Sequence, residues 1–228
     1  VSVDATINAG ILARALDLLA PDATVLALPM QWIGLSVEHI RFPGTLTLSA
    51  ETLIAVLTEI GQSVGRAGVR RLVILNSHGG QPQVVEIVCR RLRADAMFAV
   101  GCMASRLGLP PEIVLSGDEQ RHGIHGGLVE TSLMLHLRPD LVRTQHAGDF
   151  RSAWLERETT TSLLTPEGAV GFGWETQDLN PDGALGDARA ATAAMGAAIL
   201  EYQAARLALL LQEVSSFDLR SWMRDAPA

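Results

Sequence analysis

The segment Arg71-Leu72-Val73-Ile74-Leu75-Asn76-Ser77-His78-Gly79-Gly80-Gln81 constrains this chain more than any other. A short, β-branched apolar run ends in a polar loop, and Pro82 then opens a helix. That order is a strand–loop–helix join, the repeating unit of an α/β domain. Sites in such domains form just beyond the carboxyl ends of the strands. Gly79 and Gly80 let the backbone turn sharply and let another group approach closely. Two uses of the loop remain open on these residues. The glycines before a helix N-terminus could form an anion nest, or His78 could act as a metal ligand or catalytic base.

The surrounding pattern repeats the unit. Ile7, Ile11, Ala15, Leu18 and Leu19 make a helical stripe over residues 5–20, with Asp4 at its start. Thr24 to Leu28 is expected as a buried strand. A long loop runs from Pro29 to Thr47, and its length points to function. Ser49 caps a helix whose inner face is Leu53, Leu57, Ile60 and Val64, and Gly68 stops it. Val84, Ile87, Val88 and Leu92 mark a further helix, and 96–104 a further strand. Ser116-Gly117-Asp118 reads as loop. Residues 128–137 are helical, 144–186 are polar and Gly-rich around Trp154 and Trp174, and one long Ala/Leu helix runs from Asp187 to about Val214. The β-α-β-α alternation predicts a three-layer α/β/α sandwich with a mostly parallel central sheet, in one domain over 1–228.

Composition narrows the function classes. With 48% hydrophobic and 19% charged residues, a large core is available. The net charge of −7, without basic runs, argues against nucleic acid as a partner. No apolar stretch is read as a membrane span. Cys89 and Cys102 read as buried free thiols of a reducing cytosol, so the expected location is cytoplasmic. The chain opens at Val1 rather than Met, and a further N-terminal segment is expected. Gly61-Gln62-Ser63-Val64-Gly65 has the letters of a Gly-x-Ser-x-Gly elbow but lies within the helix that follows Ser49, not at a strand-to-helix turn, so a serine hydrolase of that type is not expected. A dinucleotide Gly-x-Gly-x-x-Gly and a phosphate-binding P-loop are missing from the sequence.

Four polar islands carry the chemistry. They are Asp4; Ser36-Val37-Glu38-His39; Asn76 to Gly80; and His125-Gly126-Gly127 with Glu130-Thr131-Ser132. Carboxylates, imidazoles and glycines recurring at element ends suit a divalent-metal site with a histidine proton carrier. Glu130 could equally be a first-turn helix acid.

In order and spacing these islands resemble the creatininase (creatinine amidohydrolase) family. The matching segments are Gly34-Leu35-Ser36-Val37-Glu38-His39 with Phe42-Pro43-Gly44-Thr45-Leu46, the Asn76–Gly80 loop, and His125 to Ser132. Gly183-Ala184-Leu185-Gly186-Asp187 with Ala191-Thr192 and Gly196 also matches. The resemblance implies hydrolysis of a small amide, lactam or formamide, with one or two divalent metals (Zn, Mn or Fe), in a homo-oligomer that is often a hexamer. It implies Asp4, His78 and Glu130 as metal ligands and His125 as the catalytic proton carrier. Glu38 and His39 would belong to a substrate-binding loop, and Trp174 to a substrate lid. Three departures stand out. The family's Glu-x-His before the aspartate is expected upstream of Val1. Leu128 stands where an acid is often found. Gly79-Gly80 stands where creatininase has a second acid after the loop histidine. A catalytically silent member, serving as a ligand-binding or oligomeric scaffold, is the rival expectation.

Overall fold

The computed structural model describes residues 2–168 and 170–222. Its centre is a pair of parallel strands, β1 (Arg71–Asn76) and β2 (Phe98–Met103). The helix between them, α3 (Pro82–Ala94), makes the crossover that parallel pairing requires. Before β1 come α1 (Val3–Asp17) and α2 (Ala50–Arg66). After β2 come α4 (Gly117–His122), α5 (Leu128–Leu137), the one-turn α6 (Thr176–Leu179) and the long α7 (Ala193–Ser216).

The pleat divides the core into two. Successive strand side chains point to opposite faces. Leu72, Ile74 and Ala99 therefore meet α2 and α3 through Leu53, Val84, Val88 and Leu92. Val73, Leu75 and Cys102 meet α1, α5 and α7 through Ile7, Ile11, Leu133, Ile199 and Leu207. Helices thus cover both faces of a parallel sheet, and the fold is the α/β sandwich that the alternation predicts. Helix starts follow their caps. Ser49 Oγ accepts from Thr52 N at 3.2 Å, and Thr192 Oγ1 accepts from Met195 N at 3.1 Å.

Gly196 sets how closely α7 lies on α5. A Cβ there would overlap the Ser132 carbonyl and come within 3.0 Å of His136 Cβ. The predicted helix from Asp187 begins only at Ala193, because a 3₁₀ turn at Ala188–Ala190 comes first.

Three expectations are corrected. Thr24–Leu28 is not a buried strand: it forms no ladder, and Leu26 is 83% exposed. A short apolar run favours an extended chain, but a strand also needs a neighbour for its backbone groups. Residues 117–122 are helix rather than loop, capped by Ser116 Oγ accepting from Glu119 N at 3.1 Å. α7, at 24 residues, is long and apolar enough to cross a membrane by length and composition, contrary to the sequence reading. Here it serves as a core helix, burying Ile199, Leu200, Ala204, Leu207 and Leu211 against α1 and α5.

Candidate active site beyond the carboxyl end of β1

β1 ends at Asn76, whose buried side chain shapes the loop that follows. Its Oδ1 accepts from His78 N at 3.0 Å, and its Nδ2 donates to His78 O at 2.9 Å. The same Oδ1 accepts from Gln81 Nε2 at 2.9 Å, while Gln81 Oε1 accepts from Leu35 N at 2.9 Å. Gly34 leaves the room that this glutamine side chain occupies. Two loops far apart in sequence are thereby stitched together, and Glu38 is delivered to His78.

His78 is clamped between two acids. Its Nδ1 lies 3.0 Å from Asp4 Oδ2, and its Nε2 lies 2.8 Å from Glu38 Oε1. Asp4 sits in the first turn of α1, and Ser77 Oγ donates to the Asp4 carbonyl at 2.8 Å. Burial alone would lower the His78 pKa. The hydrogen bonds and negative charge of Asp4 and Glu38 outweigh burial and raise it to about 10. Burial pushes Glu38 upward in turn, but the His78 side chain, a backbone hydrogen bond and the charges of His78 and His39 together hold it below the usual carboxylate range.

His39 and His125 complete the wall. Their ring centroids are 4.1 Å apart, and His39 lies 6.2 Å from the His78 ring. Thr176 Oγ1 gives its single proton to the Glu38 carbonyl at 2.9 Å and pairs with His39 Nδ1 at 2.7 Å. On the other side of the ring, His39 Nε2 lies 3.5 Å from Glu38 Oε1. Burial, then the positive potential of His125, brings the His39 pKa down to about 4. His125 is likewise lowered, chiefly by burial, although 36% of its side-chain surface stays open at the mouth.

Glu130, in the first turn of α5, accepts from Gly126 N at 2.6 Å and lies 4.0 Å from His125 Nδ1. Burial, followed by the charge of Asp4, raises its pKa to about 7. Six of the seven residues singled out in the sequence thus converge: Asp4, Glu38, His39, His78, His125 and Glu130. Trp174 is held in a separate cluster, donating from Nε1 to Pro166 O at 3.0 Å beside Trp154, Leu179 and Leu185. Thr176, two residues on, is its link to the site.

The donor set suits a hard or borderline divalent ion, with carboxylates and imidazoles converging and His78 Nε2 buried without a well-formed hydrogen bond. Among the described residues no three of these side chains stand ready as a coordination shell, because His78 is turned to its two acids. Both cysteines are free, and burial raises both thiols, which makes them poor nucleophiles.

Sequence reasoning missed the residues that hold this wall in place. Buried Glu119 accepts from Leu128 N at 2.7 Å and from Asp187 N at 2.8 Å, tying the start of α5 to the Gly186–Asp187 strand. The signal for it was Ser116-x-x-Glu119, the spacing of a capping box. Thr176, fully buried, carried no signal at all.

The chain matches the creatininase family, described as creatinine amidohydrolase, over residues 1–211. It is 34% identical over 172 residues to a mycofactocin precursor peptide peptidase of Mycobacterium ulcerans (strain Agy99), covering 75% of this chain and 59% of that protein. It is 35% identical over 117 residues to a creatinine amidohydrolase of Pseudomonas putida, covering 45% of this chain and 44% of that one. A solved manganese creatininase superposes with a TM-score of 0.70 at 27% identity, covering 93% of this chain and 83% of the other. The chain spans about half the length of these curated relatives, 59% of the first and 44% of the second. A match over nearly the whole chain, a shared fold and polar islands that close on one point make it a member of the creatininase family.

Proposed function

We propose that this chain carries the active site of a metal-dependent amidohydrolase that cleaves an amide C–N bond. The observation that carries the reading is His78 held between Asp4 and Glu38, with His125 and Glu130 at the rim. Asp4, His78 and Glu130 would hold a divalent ion, and manganese in the solved creatininase supports that choice. Such an ion, when bound, supplies a Lewis acid for the amide carbonyl and for the attacking water.

The chain's own residues do the rest. His125 is neutral near pH 7 because its pKa is held down, so it first accepts a proton from the attacking water. It then returns that proton to the departing nitrogen. His39, neutral and hydrogen-bonded through Nδ1, packs on the His125 ring and limits its tilt. Glu130 faces His125 Nδ1 and favours the tautomer or cation that places a proton there.

The wider of the two matches is to a relative named for a peptide substrate, which supports an amide at a peptide's end over creatinine. Exposed Leu26, Trp32, Ile40 and Leu46 support assembly into a homo-oligomer.

The test is metal analysis of the purified full-length protein, followed by assay of short peptides, creatinine and simple formamides with and without chelator. Amine release that depends on bound metal is expected. Metal binding without turnover of any of these would leave the scaffold reading in its place.

A further inference from the structure

The two glycines after His78 do different jobs. Neither has a backbone that excludes side chains, since neither has a left-handed φ. A Cβ on Gly79 would meet nothing within 4 Å. A Cβ on Gly80 would lie 2.7 Å from both Glu38 carboxylate oxygens and 2.7 Å from His78 Nε2. Position 80 therefore lacks a side chain because a carboxylate from another loop already fills that space.

That carboxylate is built in. The Glu38 side chain is only 11% exposed. Its loop is pinned at three points: Ser36 N donates to Thr47 Oγ1 at 2.8 Å, Thr45 Oγ1 to the His39 carbonyl at 2.9 Å, and Thr176 Oγ1 to the Glu38 carbonyl at 2.9 Å. Ser36 Oγ also donates to Oε1 at 3.3 Å. An enclosed carboxylate 2.8 Å from an imidazole nitrogen suits a divalent cation, which can take both groups as ligands, far better than a neutral amide, which offers no opposite charge.

We propose that Glu38 is a metal-binding acid of this site, its carboxylate entering from the 34–47 loop to fill the cradle that Gly80 leaves open beside His78. The assignment rests on the metal-dependent reading above and moves Glu38 from substrate recognition to metal retention.

Zn²⁺ titrated calorimetrically into chelator-treated full-length protein tests it. Glu38→Gln should weaken Zn²⁺ binding by at least about tenfold. Glu38→Ala combined with Gly80→Asp should recover affinity to within a few-fold, because the new carboxylate grows from the vacated cradle. If the wild-type protein binds no Zn²⁺, the underlying reading fails. If it binds and Glu38→Gln binds equally well, this proposal alone is overturned. A folded double variant as weak as Glu38→Gln also overturns it. Should Glu38→Gln not fold, Gly80→Ala and Gly79→Ala decide. Gly80→Ala should displace the acid and lose about tenfold in affinity, and Gly79→Ala should lose none. Equal affinities for these two would sink the proposal.

Discussion

Gln81 Nε2 donates to Asn76 Oδ1 across 2.9 Å, and the opposite end of the same amide accepts from Leu35 N. One side chain thus joins the end of the central strand to the loop that carries Glu38 and His39. Gln81→Leu should leave Leu35 N without its partner and Asn76 Oδ1 with His78 N alone, at a cost of about 1–3 kcal/mol. Hydrogen exchange should quicken across residues 34–40 while β2 stays protected. Uniform quickening over the whole chain would show that the amide supports the fold and not the loop.

His125 and His78 should separate under mutation. His125→Ala removes a proton carrier and should lower turnover by about 10²–10⁴-fold with little change in bound metal. His78→Ala should lower both. Rate and metal content measured side by side on full-length protein decide this. Equal metal loss in the two variants would make His125 a ligand.

Glu130 gives the metal-free protein a pH dependence with a definite sign. Its folded pKa, about 7, exceeds the ordinary carboxylate value of 4.5. The folded state therefore binds more protons across that window, and the Glu130 contribution to stability falls as pH rises from 4.5 to 7. Glu130→Gln removes the buried charge. In chelator it should be more stable than wild type at pH 8 by about 1–3 kcal/mol, with the gap closing by pH 4.5. Urea unfolding at the two pH values measures it, and a gap that widens on acidification would reverse the assignment.

His39 acts in the opposite direction. Its folded pKa of about 4 lies below the ordinary 6.5, so the folded state binds fewer protons between these values. Its contribution is complete above 6.5 and is lost as pH falls toward 4. His39→Gln in chelator should show a shallower loss of stability than wild type between pH 6.5 and 4. The Thr176 hydroxyl would still find a partner in the glutamine.

Gly196→Ala tests the helix contact beneath the site. The added methyl overlaps the Ser132 carbonyl, and overpacking of this kind costs about 1–3 kcal/mol or more. The melting temperature should fall by about 2–12 °C for a chain of this size. An unchanged melting curve would mean that α7 can slide on α5 without loss.

Local chemistry alone determined much of this protein. Helix α5 runs from Leu128 to Leu137 as the sequence predicts, and the 71–76 strand and the Pro82 helix start also fall where expected. Periodicity, caps and prolines act within one or two turns, so they can be read without knowing the fold. The islands Asp4, Glu38-His39, His78 and His125 to Glu130 were legible for a related reason: chemically distinctive residues stand at element ends. Tertiary structure decided the rest. Residues 24–28 carry a strand's pattern yet form no ladder, because pairing depends on a neighbour that the segment itself does not specify. Glu119 and Thr176 look like ordinary surface residues until folding buries them against backbone groups of other segments. The role of Glu38 depends on the missing side chain at Gly80, 42 positions along the chain, and only the packed loops bring the carboxylate to 2.7 Å from where a Cβ would stand.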